Sequence, residues 1–248
     1  MGIFIKNDEQ ISFMRTAGKI VARTHELLQK HVKPGITTAE LNAIAEDFIL
    51  SNDAKPSFLG YRGFPAAICT SVNNEVIHGV PGLRKLLSGD IISIDLGVCY
   101  KRFHGDAART LAVGEISDIN KQLIAVTKEA FFEGAKQCTT ENRLHDISNA
   151  IDDYVNPFGF GIVSEWCGHG VGRQVHEDPQ IPHTRQEKRG PRIKSGMTLA
   201  IEPMVNIGTE EILMLDDTWT VITRDGEYSA HYENTVLVTD GEPEILTL

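Results

Sequence analysis

The chain has 248 residues, 41% hydrophobic and 23% charged, an ordinary globular balance with enough apolar side chain for a sizeable core. A net charge of -10 argues against a general nucleic-acid or anionic-membrane surface, since either favours a basic face. Four widely spaced cysteines, Cys69, Cys99, Cys138 and Cys167, form no Cys-x-x-Cys pair; they exclude a zinc ribbon or small disulfide framework and fit reduced thiols in a cytoplasmic setting.

The first ten residues hold no apolar run long enough for a signal peptide, and nowhere do about 18 uninterrupted apolar residues suggest a membrane span. Met1-Gly2 opens like a myristoylation signal, but Lys6 stands where that signal needs Ser or Thr. Asn7 or Asp8 caps a predicted helix with Ile11, Met14, Ile20, Val21, Leu27 and Leu28 along one side, stopped by Lys33-Pro34-Gly35. A second helix starts at Thr37 or Thr38, repeats Leu41, Ile44, Ala45, Phe48 and Ile49 at helical spacing, and ends before residue 52. Strand-like segments follow at 66–72 and 91–98, then a returning strand that closes at Gly114.

The second half repeats the plan, with a helix over about 118–137, a break at Thr139 and Thr140, and a helix bearing Leu144, Ile147 and Ile151. Lys33, Thr37, Leu41, Ile44 and Phe48 recur at one constant offset as Lys136, Thr140, Leu144, Ile147 and Ile151, which predicts a pseudo-twofold fold with a site between its halves. Past Gly159 the chain reads as strand and loop: 161–165, the Gly-rich turn CGHGVGRQVHEDP, then 197–207, 218–223 and 235–239. No linker or low-complexity segment interrupts it, so one domain over 1–248 is expected.

Chemistry enters at 92–110, ISIDLGVCYKRFHGDAART. Alternation sets Ile91, Ser93, Asp95 and Gly97 on one face and Ile92, Ile94, Leu96 and Val98 on the other. After a turn at 100–102 the returning strand aligns His104, Asp106, Ala108 and Thr110, so a hairpin can hold Asp95 and Asp106 side by side. Two carboxylates that close need protons or cations between them. Turn chemistry offers a plainer reading, in which Asp95 ends a strand and Asp106 sits in a Gly-Asp turn.

Three more residues stand out. His169 lies between Gly168 and Gly170, Glu202 follows the apolar run 199–201 and precedes a proline, and Glu233 shares a strand face with His231, Thr235 and Leu237. Singly, each also reads as a structural polar group with a hydrogen-bond partner. Together, four carboxylates and one imidazole without thiolates suit a pair of divalent first-row ions bridged by carboxylates and a water.

The order Asp95, Asp106, His169, Glu202, Glu233, set in SIDLGV, FHGD, CGHGVGRQVHEDP, AIEPM and HYENTVLV, closely resembles the type I methionine aminopeptidases over essentially the whole chain. The resemblance implies an α+β pita-bread fold, two pseudo-symmetric halves with a curved antiparallel sheet covered by helices. It implies that Asp95 chelates one metal, His169 and Glu202 the other, and that Asp106 and Glu233 bridge them. Further implied are substrate contacts from His78 near the scissile amide and from His176 at its carbonyl oxygen. The methionine pocket would draw on Phe58, Tyr61, Phe64, Cys69 and Trp219, with Phe58 and Phe64 standing where many relatives carry Cys and Tyr. The two divalent ions would be Fe(II), Mn(II), Co(II) or Zn(II), and some relatives add a monovalent cation at positions matching Asn73 and Ser229.

The expected reaction is removal of the N-terminal methionine from nascent polypeptides with a small second residue, by a metal-bridged hydroxide. Glu202 would relay the proton and His176 would help hold the oxyanion. The expected setting is a cytoplasmic monomer acting on N-terminal Met peptides and nascent chains at the ribosome, without nucleic-acid or membrane contact of its own. One alternative is an Xaa-Pro aminopeptidase or dipeptidase of the same fold, which usually carries a large extra N-terminal domain for which this chain has no room. A second, of another class, is a non-catalytic peptide- or ribosome-binding relative, but such proteins typically lose ligands.

Overall fold

The computed structural model describes residues 2–248; Met1, where the discarded myristoylation signal would begin, lies outside them. Helix α1 spans Asp8–His31 and α2 spans Thr38–Ser51. Both start as expected, each with a reciprocal capping box: Asn7 with Gln10, and Thr37 with Glu40. Such boxes satisfy helix-end N–H groups that otherwise lack partners. Strands β1 (Lys55–Pro56), β2 (Cys69–Val72), β3 (Glu75–Ile77), β4 (Ile91–Tyr100) and β5 (Phe103–Ala112) complete the first half.

Helices α3 (Asp118–Ala135) and α4 (Leu144–Val155) open the second half. Ten short strands follow: β6 (Gly161–Ile162), β7 (Gly168–Gly170), β8 (Glu177–Ile181), β9 (Thr198–Ile201) and β10 (Met204–Asn206). The rest are β11 (Ile212–Met214), β12 (Val221–Thr223), β13 (Ser229–His231), β14 (Asn234–Leu237) and β15 (Glu244–Ile245). The predicted strand over 197–207 is in fact two, parted at Glu202-Pro203, because proline has no N–H to extend the ladder.

Each half lays a helix pair on antiparallel strands. Ile20, Val21 and Leu28 of α1 and Leu41, Ala45 and Ile49 of α2 pack with Ile92, Ile94, Leu96 and Val98 of β4 in one core. Leu123 and Phe131 of α3 and Ile147 and Ile151 of α4 pack with Leu199, Ile201, Val205 and Val236 in another. These four β4 residues are fully buried and share that core with α1 and α2, so the apolar face read from alternation is the one that meets the helices.

The halves are stitched along β5. Ala108 and Glu233 exchange backbone hydrogen bonds of 3.3 and 3.0 Å. On either side, Thr235 Oγ1 accepts from Asp106 N–H at 2.9 Å, and His231 N–H donates to Thr110 Oγ1 at 2.9 Å. Residues 231–235 of the second half thus run beside 106–110 of the first, joined by backbone and threonine hydrogen bonds.

Candidate metal centre

At this seam the five predicted donors converge at the floor of one cavity of about 670 Å³, which Asp95, Asp106, His169, Glu202 and Glu233 all line. Asp95 comes from β4, Asp106 from β5 and His169 from β7, while Glu202 and Glu233 sit where the chain leaves β9 and enters β14. The hairpin register differs slightly from the expected one. Asp106 lies opposite Gly97, and Asp95 opposite Ala108, so the two aspartates are diagonal neighbours rather than directly opposed. Gly97 has no side chain where Ser57 and Phe58 approach its backbone: a Cβ there would lie 2.8 Å from Ser57 Cβ.

The ladders β9–β14 and β10–β13 keep a single register on both sides of Glu202-Pro203, so Glu202 and Glu233 face one another across the gap. The guanidinium of Arg109 fixes the carbonyl of Glu233 from behind and also binds the carbonyl of Thr247 at 3.1 Å. It lies over the ring of Tyr232, 4.5 Å from its centroid.

Donor geometry suits a cation. Asp95 Oδ1, Asp106 Oδ1 and Glu233 Oε1 are buried without hydrogen-bond partners, a costly state for carboxylates unless something else binds them. His169 Nδ1 donates to the Gly170 carbonyl at 2.9 Å, which leaves the Nε2 lone pair facing inward, the tautomer a metal ligand requires. That Nε2 lies 3.3 Å from Glu202 Oε1, close to the edge of about 3.4 Å between donors of one tetrahedral ion. Donor atoms of Asp106, His169 and Glu233 fall within 4.8 Å of one another, as do those of Glu202, His231 and Glu233. Asp95 belongs to neither triplet.

Electrostatics agree. Burial raises the pKa values of Asp95, Glu202 and Glu233, with neighbouring carboxylates adding to each rise, and pushes Asp106 up to about 7. Burial lowers His169 to about 4. Charges crowded this way are relieved by protons or by divalent cations, which restore the ionised carboxylates and the neutral imidazole.

The remaining predicted residues line the same cavity: Phe58, Tyr61, Phe64, Cys69, His78, His176 and Trp219. Phe58, Phe64 and Cys69 form an apolar cluster with Ala66 and Val175, against which Tyr61 and Trp219 pack. Phe64 meets Trp219 edge-on with centroids 5.1 Å apart. His176 Nδ1 lies 2.9 Å from Tyr61 Oη with the rings stacked, and its ring sits 4.2 Å from that of His169. His78 has a left-handed backbone, φ 58°, an uncommon conformation for a residue with a Cβ. Its ring stands edge-on to Trp166, 4.9 Å away. Burial lowers His78 to about 4 and His176 to about 3, so both are neutral at pH 7.

His104, the neighbour of Asp106 in sequence, stands apart and binds Ser57 Oγ at 2.8 Å. Trp166, Gln180 and Met214 also line the cavity, and sequence reasoning did not assign them. Nor did it give His231 a role. The i, i+2 spacing of His231 and Glu233 on one strand face was the available signal.

A fold of two helix-backed halves around a carboxylate-rich cation site defines a class of metal-dependent hydrolase. The model of metallopeptidase family M24 matches residues 12–240, and the chain belongs to that family. It is 55% identical to the methionine aminopeptidase of Clostridium perfringens over 246 residues, 99% of each chain. The crystal structure of methionine aminopeptidase from Rickettsia prowazekii superposes with a TM-score of 0.97 at 39% identity, covering 100% of both chains. Prolidase from Pyrococcus furiosus shares the pita-bread fold, with a TM-score of 0.81 at 23% identity over 98% of this chain and 65% of that one. Within the family the chain groups with the methionine aminopeptidases.

Proposed function

We propose that the chain is a metal-dependent aminopeptidase, one catalytic domain over 1–248, that removes the N-terminal methionine from peptides and nascent chains with a small second residue. The observation that carries this is the set of unpartnered carboxylate oxygens beside His169 Nε2, at the foot of an apolar pocket. Asp95, Asp106, His169, Glu202 and Glu233 would hold two divalent ions, of Fe(II), Mn(II), Co(II) or Zn(II). When bound, such ions acidify water to near neutrality and polarise a carbonyl oxygen.

The protein's own groups do the rest. The wall of Phe58, Tyr61, Phe64, Cys69 and Trp219 takes the thioether side chain, a polarizable group that packs well against aromatic edges. A free terminal amine would bind at the ion held by Asp95, and a blocked terminus would lose that contact. Glu202 takes the proton of the attacking water on a carboxylate oxygen and passes it to the departing amine. The Tyr61 hydroxyl donates to His176 Nδ1, which leaves the hydrogen on Nε2 for the carbonyl oxygen as it gains charge. His78, held by its strained backbone and by Trp166, orients the amide; local strain of this kind recurs where a side chain must be aimed.

We place a monovalent cation beside Asn73 and Ser229, which are neighbours through the hydrogen bond from Ser229 N–H to the Asn73 carbonyl at 2.9 Å. Among the described residues no helix is long and apolar enough to cross a membrane. We place the enzyme in the cytoplasm as a monomer that meets nascent chains at the ribosome. Release of methionine from Met-Gly-Met, lost with chelator and absent on an Xaa-Pro peptide, is the expected result. Hydrolysis of the Xaa-Pro peptide instead, or of neither, overturns the proposal.

A further inference from the structure

Glu202 has an imidazole on each side. His169 in β7 pairs with Ala200, two residues before Glu202, and His231 in β13 pairs with Met204, two residues after it. Because side chains alternate along strands, both histidines project to the face that carries Glu202. The contacts follow this symmetry: Glu202 Oε1 lies 3.3 Å from His169 Nε2, and Glu202 Oε2 lies 3.7 Å from His231 Nε2. Glu233, facing Glu202, brings a third donor within 4.8 Å of both Glu202 and His231.

His231 is 1% exposed and its Nε2 has no hydrogen-bond partner. A buried imidazole nitrogen aimed at two carboxylates, and bonded to neither, is left unsatisfied unless an ion completes the contact. The backbone of His231 is rigid, since its N–H and carbonyl both bond Thr110 Oγ1 at 2.9 Å. The separation of 3.7 Å exceeds a hydrogen bond but fits the spacing between two donors on one ion. We propose that His231 is a sixth metal ligand, its Nε2 joining Glu202 and Glu233 around a divalent cation. Each end of Glu202 then meets an imidazole-bearing position, and the added nitrogen favours borderline ions such as Zn(II) or Co(II) over harder ones such as Mn(II).

This inference rests on the metal site proposed above, and one spectrum separates the two. In protein labelled with 15N-histidine and loaded with 113Cd at two equivalents, metal–nitrogen coupling counts the bound imidazoles directly. Two coupled imidazoles, one lost in His231→Gln, are expected, together with Cd(II) affinity weakened by about tenfold or more in that variant. A single coupled imidazole leaves the metal site standing and overturns the role of His231. No coupling overturns both. The count is made on the parent protein, so the test holds even if His231→Gln folds poorly, and the melting curve of the metal-free variant shows whether it does.

Discussion

Lys6 Nζ lies 2.8 Å from Glu177 Oε2 with both side chains almost fully buried, which ties the start of the chain to the turn between β7 and β8 that carries His176. The other oxygen of Glu177 accepts from the N–H groups of Arg173 and Gln174, at 2.7 and 3.1 Å. One carboxylate therefore sets the shape of the turn just before His176, and Lys6 neutralises it.

Lys6→Met should destabilise the protein by about 3 kcal/mol, because removing one partner strands a buried charge. It should also lower kcat by loosening the turn that aims His176. Thermal melting and steady-state kinetics check this, and the double variant Lys6→Met with Glu177→Gln should recover part of the stability. An unchanged melting temperature for the single variant would count against a structural role for the pair.

His176→Ala should reduce kcat by roughly 100- to 1,000-fold, the usual cost of losing one donor to a developing oxyanion. Tyr61→Phe should cost less, since it removes only the 2.9 Å contact to Nδ1 that selects the tautomer. Rates on Met-Gly-Met give the order; Tyr61→Phe as damaging as His176→Ala would contradict it.

Glu202→Gln should lower kcat by roughly 100- to 10,000-fold through loss of a proton carrier. Metal content measured alongside the rate separates proton transfer from simple loss of ions. Full turnover with metal retained would remove Glu202 from the mechanism.

Chelation should abolish activity and lower the melting temperature, since an ion present at about 100 times its Kd contributes about 2.7 kcal/mol. The pH dependence has a definite sign. Asp106 is raised from 3.8 to about 7, so the folded metal-free protein binds more protons than the unfolded chain between those values. Its contribution is fully present below about 3.8 and is lost as pH rises through about 7. Melting of chelated against metal-loaded protein across pH 5 to 8 should therefore diverge as pH rises.

Gly97→Ala should disturb the pocket, because the added Cβ would lie 2.8 Å from Ser57 Cβ and 3.0 Å from Phe58 Cε1. Overpacking of this kind costs about 1–3 kcal/mol, and the displaced Phe58 ring should raise KM for methionine peptides more than it lowers kcat. Kinetics on peptides beginning with methionine or norleucine test this.

Much was decided by the sequence alone. The helix starts at Asn7 and Thr37 and the buried face of β4 follow from capping chemistry and period-two alternation, which are local and act within a few residues. The donor set was legible because each donor stands in a distinctive short string, the pocket residues Phe58, Tyr61, Phe64, Cys69 and Trp219 followed only from the family resemblance, and the fold gathers all of them in one cavity. The three-residue strands β3, β11 and β13 were not legible, because three residues standing alone carry no period to read. Only the tertiary structure decided that Asp95 and Asp106 are diagonal, since that depends on the register of the hairpin. It alone set Lys6 on Glu177, 171 residues away, and His231 beside Glu202, because the free energy of those contacts comes from burial that two distant segments create by meeting.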